Sequence, residues 1–378
     1  MKRTLSLVLC ILMIFSVFCI TAGAAKEKTF EDFKYLVTNK TDVTVTKYTG
    51  TAAEVTVPAK IDGKTVTAIG DKAFSNNNTV KKVTVSEGVK SIGLYAFYYC
   101  ENLESVKLPK TLESIAAYAF VACKKLEKID LPKNLSKLGV NVFTNCSALK
   151  EITVPKKITA IPDATFESCT SLKKVSLPDS LTRIDYAAFM ECSSLEFIKL
   201  PSKLSFIGIN AFSGCTALKA IFLPDSVTEI GQGAFSYCTA LKSVALSSNL
   251  KTIGSGAFEE CTALKNIHIP KSVGKIRSDA FRDCVKLENI SGGKGITEIG
   301  SEVFYGTAFA KNKDNWENGA LYFRNCLVAL SKNVKGTYKV KEGTTVISND
   351  IFNFCKKLTG VYLPESVTSV ATSGKNSH

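Results

Sequence analysis

Apolar positions along this chain recur in a frame of 23 residues. A phenylalanine marks the frame eleven times without a break, at Phe74, Phe97, Phe120, Phe143, Phe166, Phe189, Phe212, Phe235, Phe258, Phe281 and Phe304. The unit from Phe97 reads Ala96-Phe97-x-x-Cys100-x-x-Leu103-x-x-Val106-x-Leu108-Pro109-x-x-Leu112-x-x-Ile115, and Ala119-Phe120 opens the next. Alternation at Val106 and Leu108 predicts a short strand with Ser105 and Lys107 on its outer face. Pro109 lacks a backbone donor and predicts the end of that strand. The same proline returns at Pro132, Pro155, Pro178, Pro201, Pro224, Pro270 and Pro364. Leu112 and Ile115 predict a second wall facing the first. Glycines such as Gly93, Gly208, Gly231 and Gly254 are read as permitting the turn that follows, and the Ala-Phe pair as starting a short helical turn.

One unit cannot bury its own apolar side, so the units must stack into a continuous core. A period of 20–29 residues marks a leucine-rich-repeat solenoid. The expected fold is a curved, right-handed array of short parallel strands with little regular helix. About twelve to thirteen coils at 4.7–4.9 Å each give an array on the order of 60 Å long. Such an array absorbs the whole length, because each repeat touches only its neighbours. Residues 25–58 predict a strand-rich N-terminal cap, with alternation at Val43, Val45, Val55 and Val57. Regular repeats fill 59–304, beginning with a five-residue insertion around Asp62-Gly63-Lys64-Thr65. Degenerate repeats fill 305–351, where Ala320 to Phe323 and Cys326 to Leu330 predict a hairpin around Arg324-Asn325. A last, incomplete repeat and tail occupy 352–378.

The units resemble the BspA-like, Treponema-type class of bacterial leucine-rich repeats over residues 52–370. The nearest approach to that class is Ile207-Gly208 followed by Ala211-Phe212-Ser213-Gly214-Cys215-Thr216-Ala217-Leu218. Val142, Thr165, Val303 and Ile351 replace its alanine, and Ser86, Ser247 and Gly293 its proline. The resemblance implies a secreted or surface-displayed solenoid used in adhesion and in host or matrix contact.

Composition adds a compartment. Lys2 and Arg3, an apolar run from Leu5 to Ile20 and Ala22-Gly23-Ala24 predict a signal peptide over 1–24, with Ala25 as the mature N-terminus. The apolar run is shorter than the roughly 20 residues of a spanning helix, and no membrane span is expected in the mature chain. The formal charge of +14 falls to +12 when Lys2 and Arg3 leave with the leader. Only five of the 48 basic residues are arginine. Nucleic-acid readers lean on arginine, so no nucleic-acid partner is expected, and the lysines are read as a solvated, repulsive surface, with a site for an anionic polymer as the alternative.

Candidate chemistry is sparse. Nine cysteines follow the phenylalanine by three residues: Cys100, Cys123, Cys146, Cys169, Cys192, Cys215, Cys238, Cys261 and Cys284. Stacking brings neighbours within disulfide range, but a column flanked by Phe and Leu favours a buried, reduced ladder of small hydrophobes. No Cys-x-x-Cys or Cys/His cluster predicts a metal, and no cofactor is expected. Enzymatic activity is not expected either. His268 and His378 are the two histidines, and Asp62-Gly63-Lys64-Thr65 lacks the leading glycine of a phosphate loop. The informative surface is the outer strand face. There Phe197 and Phe222 fall on adjacent coils beside Lys174 and Lys199, with Phe206 on the other wall. Exposed aromatics flanked by lysines could stack on a sugar or anchor a protein; packing on each other is the alternative. Tyr95, Tyr98, Tyr99 and Tyr118 form a second aromatic group. The expected role is non-enzymatic binding of an extracellular protein or glycan. The runner-up is a structural, self-associating envelope protein, with oligomeric state left open.

Overall fold

The phenylalanine frame becomes a stack of rings. From Phe74 to Phe304 successive ring centroids lie 4.8 to 5.8 Å apart, with the planes nearly parallel. The computed structural model describes residues 26–353 and 355–370; the signal peptide expected over 1–24 and the residues from 371 lie outside them. Around the rings the chain winds as a parallel β-solenoid with a 23-residue coil. Each coil has a front wall, the strand ending at the repeat proline, and a rear wall around the Leu112 and Ile115 positions. Front-wall strands pair coil to coil in register, as Glu151–Thr153 does with Lys174–Ser176. Rear-wall strands do the same, as Ser91–Ile92 with Ser114–Ile115. Inward residues such as Val106, Leu112 and Ile115 are buried, and a single core cluster runs from Phe33 to Val346.

The chain around each phenylalanine is not helical, contrary to expectation. It is a run of turns whose N–H groups reach the following coil: Phe97 donates to Ala119 O at 2.7 Å and Tyr99 to Val121 O at 2.8 Å. Two residues per coil bend left-handed to do this, Tyr95 and Tyr99 both at φ 55° and Tyr118 and Ala122 at 59° and 57°. These positions lie two residues on either side of the ring. They turn alternate N–H groups along the stacking axis, so a third backbone ladder replaces the helix. Among the described residues, regular helix is limited to Ala308–Lys311 and a 3-10 turn at Lys313–Asn315.

The glycines expected to permit a turn act differently. Gly93, Gly208, Gly231 and Gly254 do not have positive φ. A Cβ on Gly231 would lie 2.6 Å from the backbone of Gly208, and one on Gly208 would lie 2.7 Å from that of Asp185. Glycine serves here for close approach between coils, while the left-handed positions are filled mostly by other residues.

Breaks in the walls are staggered. The rear wall parts between Lys137–Leu138 and Ala160–Ile161. In the neighbouring coils the residue after the strand donates to the coil before, as Gly139 does to Ile115 O at 2.9 Å and Asp185 to Ile161 O at 2.9 Å. Pro162 stands at that position and has no N–H to give, which leaves Leu138 O without this bond. The front wall stays continuous there. It parts two coils later, at residues 196–200, and again between Ser243–Ala245 and Asn266–Ile269, where the rear wall is intact.

The ends are built from other elements. Three antiparallel strands, Lys28–Phe30, Phe33–Val37 and Asp42–Tyr48, cover the N-terminal end, and Tyr48 stacks on Phe74 with centroids 5.2 Å apart. The insertion at Asp62-Gly63 forms the turn between Lys60–Ile61 and Lys64–Ile69, and the Tyr35 hydroxyl donates to Asp62. At the other end Phe309 and Phe323 meet Phe304 edge-on, which closes the ring stack. Ala320–Phe323 and Cys326–Leu330 pair antiparallel around Arg324-Asn325. Beyond them a smaller core gathers around Leu327, Tyr338 and Ile347.

Candidate functional site on the front wall

Phe222 ends the strand Ala220–Phe222, with its side chain on the outer face of the front wall. In register beside it on the next coil is Ala245, too short to cover a ring, and Phe222 is 54% exposed. One coil earlier Phe197 is 53% exposed, with Ala220 at the equivalent position 23 residues on. No ring contact joins Phe197 to Phe222 among the described residues, so packing on each other does not account for either.

One detail differs from the strand reading. Phe197 and Lys199 do not lie on a strand, because residues 195–200 form no bridge to either neighbouring coil. Ile198 and Leu200 still point into the core, so the segment is held by its apolar side chains while its front-wall ladder is open. Beside the opening a shallow hollow of about 470 Å³ is bordered by Lys150, Glu151, Ser171, Lys173, Lys174 and Ser194. Lys174 lies in register with Glu151, but Glu151 faces Lys128 at 3.7 Å. Among the described residues Lys174 and Lys199 form no ion pair within 4.0 Å, and neither does Lys173, which the sequence reading passed over. Its signal was available, since it precedes the outer strand position by one residue.

Phe206 is a different case. It sits on the rear wall, 37% exposed, with the Arg183 guanidinium 4.2 Å from its ring centre. Asp185 holds that guanidinium in turn, at 2.8 Å. The cation already covers the ring. In the tyrosine group, Tyr95 stacks on Tyr118 at 5.0 Å and meets Tyr98 edge-on at 5.2 Å. Tyr99 leans on Tyr98, so these rings do partly satisfy one another.

The cysteine column lies inside the coil, behind the phenylalanine turns. All nine thiols are buried and free. Each Sγ donates to the carbonyl of the phenylalanine one coil back: Cys100 to Phe74 at 3.0 Å, Cys192 to Phe166 at 3.1 Å, Cys284 to Phe258 at 3.0 Å. The column is therefore a polar ladder as well as apolar filling. Burial pushes the Cys100 and Cys238 thiols up to about 12, and Cys123, Cys169, Cys192, Cys215 and Cys261 rise for the same reason. A thiol that keeps its proton is neither a nucleophile nor a metal ligand. Among the described residues no group of three or more His, Cys, Asp or Glu is placed to hold a metal ion. His268 is exposed, with Nδ1 3.0 Å from Ser291 Oγ, and has no carboxylate to orient it.

Comparison with known proteins agrees with this architecture. No curated protein matches the chain. A leucine-rich-repeat protein of Bacteroides ovatus is similar to it at 26% identity and a TM-score of 0.65, over 91% of this chain and 90% of that one. A leucine-rich cell surface protein of Faecalibacterium prausnitzii is similar at 28% identity and a TM-score of 0.51, over 75% of this chain and 93% of that one. No helix among the described residues is long and apolar enough to cross a membrane. The family model "BspA type Leucine rich repeat region (6 copies)" matches residues 67–196, 182–311 and 322–374, more than half of the sequence, and the chain belongs to the BspA-type leucine-rich-repeat family.

Proposed function

We propose that this protein is exported through its 1–24 leader and binds a host or matrix protein or a polysaccharide outside the cell, without catalysis. The observation that carries the reading is the pair of half-exposed rings, Phe197 and Phe222, on adjacent coils beside Lys174 and Lys199. Large rigid aromatics supply binding energy out of proportion to their number. A front wall of outward side chains can change while the inward ones keep the coil, which is how one scaffold serves unrelated ligands. The description of the Faecalibacterium relative as a cell surface protein supports the same compartment. The test is a glycan and matrix-protein array probed with residues 25–378 and with Phe197→Ala/Phe222→Ala. Binding lost in the double variant, with an unchanged thermal midpoint, supports the reading. Binding retained moves the site, and binding lost together with folding makes both rings core residues.

A structural role has one observation in its favour. The strand Lys357–Tyr362 pairs on one side only, and Tyr362 is 68% exposed with Leu363 and Val370 also open. Concentration-dependent assembly in sedimentation, abolished by Tyr362→Lys, supports self-association through that edge. A monomer at all concentrations rules it out.

A further inference from the structure

We infer that the front-wall ligand is an acidic polysaccharide laid along the solenoid axis, its sugar rings on Phe197 and Phe222 and its carboxylates on Lys173, Lys174 and Lys199. This rests on the binding role proposed above and narrows it to one chemical class.

Charge changes along the wall. Consider, in each coil, the two outward strand positions and the residue just before them. From Glu54 to Asp130 four lysines, Lys81, Lys82, Lys107 and Lys128, are matched in number by four acids, Glu54, Glu104, Glu127 and Asp130, and Lys82 and Lys128 are ion-paired. From Lys150 to His268 the same positions hold seven lysines and two acids, Glu151 and Glu196. Three of the seven are neutralised: Lys150 by Glu127 at 2.6 Å, Lys219 by Glu196, and Lys265 by Glu288 at 3.2 Å. Among the described residues Lys173, Lys174, Lys199 and Lys242 form no ion pair within 4.0 Å, although Glu196, whose carboxyl Lys219 holds below the usual range, is close enough for Lys173 to help. The excess of cations outside ion pairs therefore falls on the coil of Phe197, through Lys199, and on the coils that flank the two rings, through Lys173, Lys174 and Lys242. An anion is the complement of that surface.

Shape selects a sugar chain over a peptide. The rings stand on an open face flanked by short side chains, Ala220 and Ala245. The hollow beside them is shallow and bordered by residues with charged or hydroxyl ends, with no aliphatic or aromatic residue among those that line it. A flat ring face open to solvent is what a pyranose needs, with its axial C–H groups against the π-cloud. The Phe189 and Phe212 rings of neighbouring coils lie 5.3 Å apart, and paired strands about 4.7–4.9 Å, both close to the length of one pyranose in an extended chain. A polyuronate running along the axis would offer one sugar and one carboxylate per coil. Ser171 and Ser194 are placed for its hydroxyls.

The test uses residues 25–378 on a biosensor with three polyuronates (polygalacturonate, alginate and polyglucuronate), carboxyl-reduced polygalacturonate, and poly-L-glutamate. At least one polyuronate should bind, and its affinity should fall as salt rises. The neutral chain and poly-L-glutamate should bind about tenfold more weakly or worse. Lys173→Gln/Lys174→Gln/Lys199→Gln and Phe197→Ala/Phe222→Ala should each lose about tenfold or more, with thermal midpoints near wild type. Binding of poly-L-glutamate as tight as that of the polyuronate would overturn the sugar assignment, and equal binding of the neutral chain, or no response to salt, would overturn the acidic one. Failure of all three polyuronates, with a matrix protein captured through Phe197 and Phe222, would sink this inference and leave the binding role standing. If no ligand depends on those two rings, both fall.

Discussion

Raising the pH should unfold this protein through its thiols, and Cys238 allows the size of the effect to be worked out. Cys238 is fully buried, and its Sγ donates to Phe212 O at 3.2 Å. Burial lifts its folded pKa to about 12, whereas an unfolded cysteine ionises near 8.5. The folded thiol binds its proton more tightly, so the stability it contributes is whole below about pH 8.5 and is lost as pH climbs toward 12. At pH 10 the unfolded chain has ionised by about 1.5 pH units, which at 1.36 kcal/mol per unit is about 2 kcal/mol for this one thiol. Cys238→Ala removes the titrating group. At pH 7 the variant should be less stable, by about 1–2 kcal/mol for the lost hydrogen bond and small cavity. By pH 10 that deficit should have vanished, because only the wild type has lost stability through position 238. Urea unfolding followed by circular dichroism at pH 7, 8.5 and 10 measures it, and titrations of lysine and tyrosine cancel in the difference. A deficit that stays constant from pH 7 to 10 would refute the argument. So would a denatured, unreduced chain of residues 25–378 that titrates far fewer than eleven thiols, the thirteen cysteines less Cys10 and Cys19 of the proposed leader, because paired sulfurs do not ionise.

Phe189→Ala should cost roughly 3–5 kcal/mol, since it opens a gap between rings 5.3 Å away on either side; Phe197→Ala should cost under about 1 kcal/mol, and equal losses in chemical denaturation would mean that inside and outside are misassigned. Gly231→Ala should destabilise by about 1–3 kcal/mol, because its Cβ would enter the backbone of Gly208 at 2.6 Å; a neutral change in thermal midpoint would show that the coils can part at no cost. Amide protons of Phe197 and Lys199 should exchange faster than those of the paired strand Glu151–Thr153, and equal protection by hydrogen exchange would contradict the open front-wall ladder.

Much of the coil could be read from the sequence because its inward positions are apolar and periodic. Val106, Leu112 and Ile115 announce two walls, and Phe97 with Cys100 announces what fills the space between them. The turn around the phenylalanine was misread as helical because its conformation is not written in side-chain chemistry. Tyr95, Tyr99, Asn141 and Glu191 all take left-handed φ, and no single residue type marks the position. The fold imposes that bend, since only with it do the N–H groups reach the next coil. The glycines were misread for the reverse reason. Their composition signalled a turn, but what they avoid is a neighbouring backbone seen only when coils stack. In the site, Phe197, Phe222, Lys174 and Lys199 followed from counting along the frame. Which lysines lack a partner could not be counted, because Lys150 and Lys219 reach acids on another coil.

The staggered breaks explain how the front wall can carry a site at all. A solenoid that lost both sheets at one coil would be held there by side chains alone, and its repeats would separate, since stability passes only between neighbours. Here the rear wall parts before Ala160, where Pro162 withholds its donor, and the front wall spans that gap through Lys128, Glu151 and Lys174. At Phe197 the roles exchange: the front ladder opens while Arg183–Ile184 and Phe206–Ile207 keep the rear wall paired. The phenylalanine stack and the thiol bonds continue through both breaks, with Cys192 on Phe166 and Cys215 on Phe189. Coil 196–200 is thus held from behind and from within, so its outer face is the part of the coil least committed to the fold. Exposed aromatic and unpaired basic residues are tolerated there, because the coil does not depend on that face for its stability. The same argument says where a new ligand could be accommodated: on the front wall of coils whose rear wall is paired, and not at the coil of Pro162.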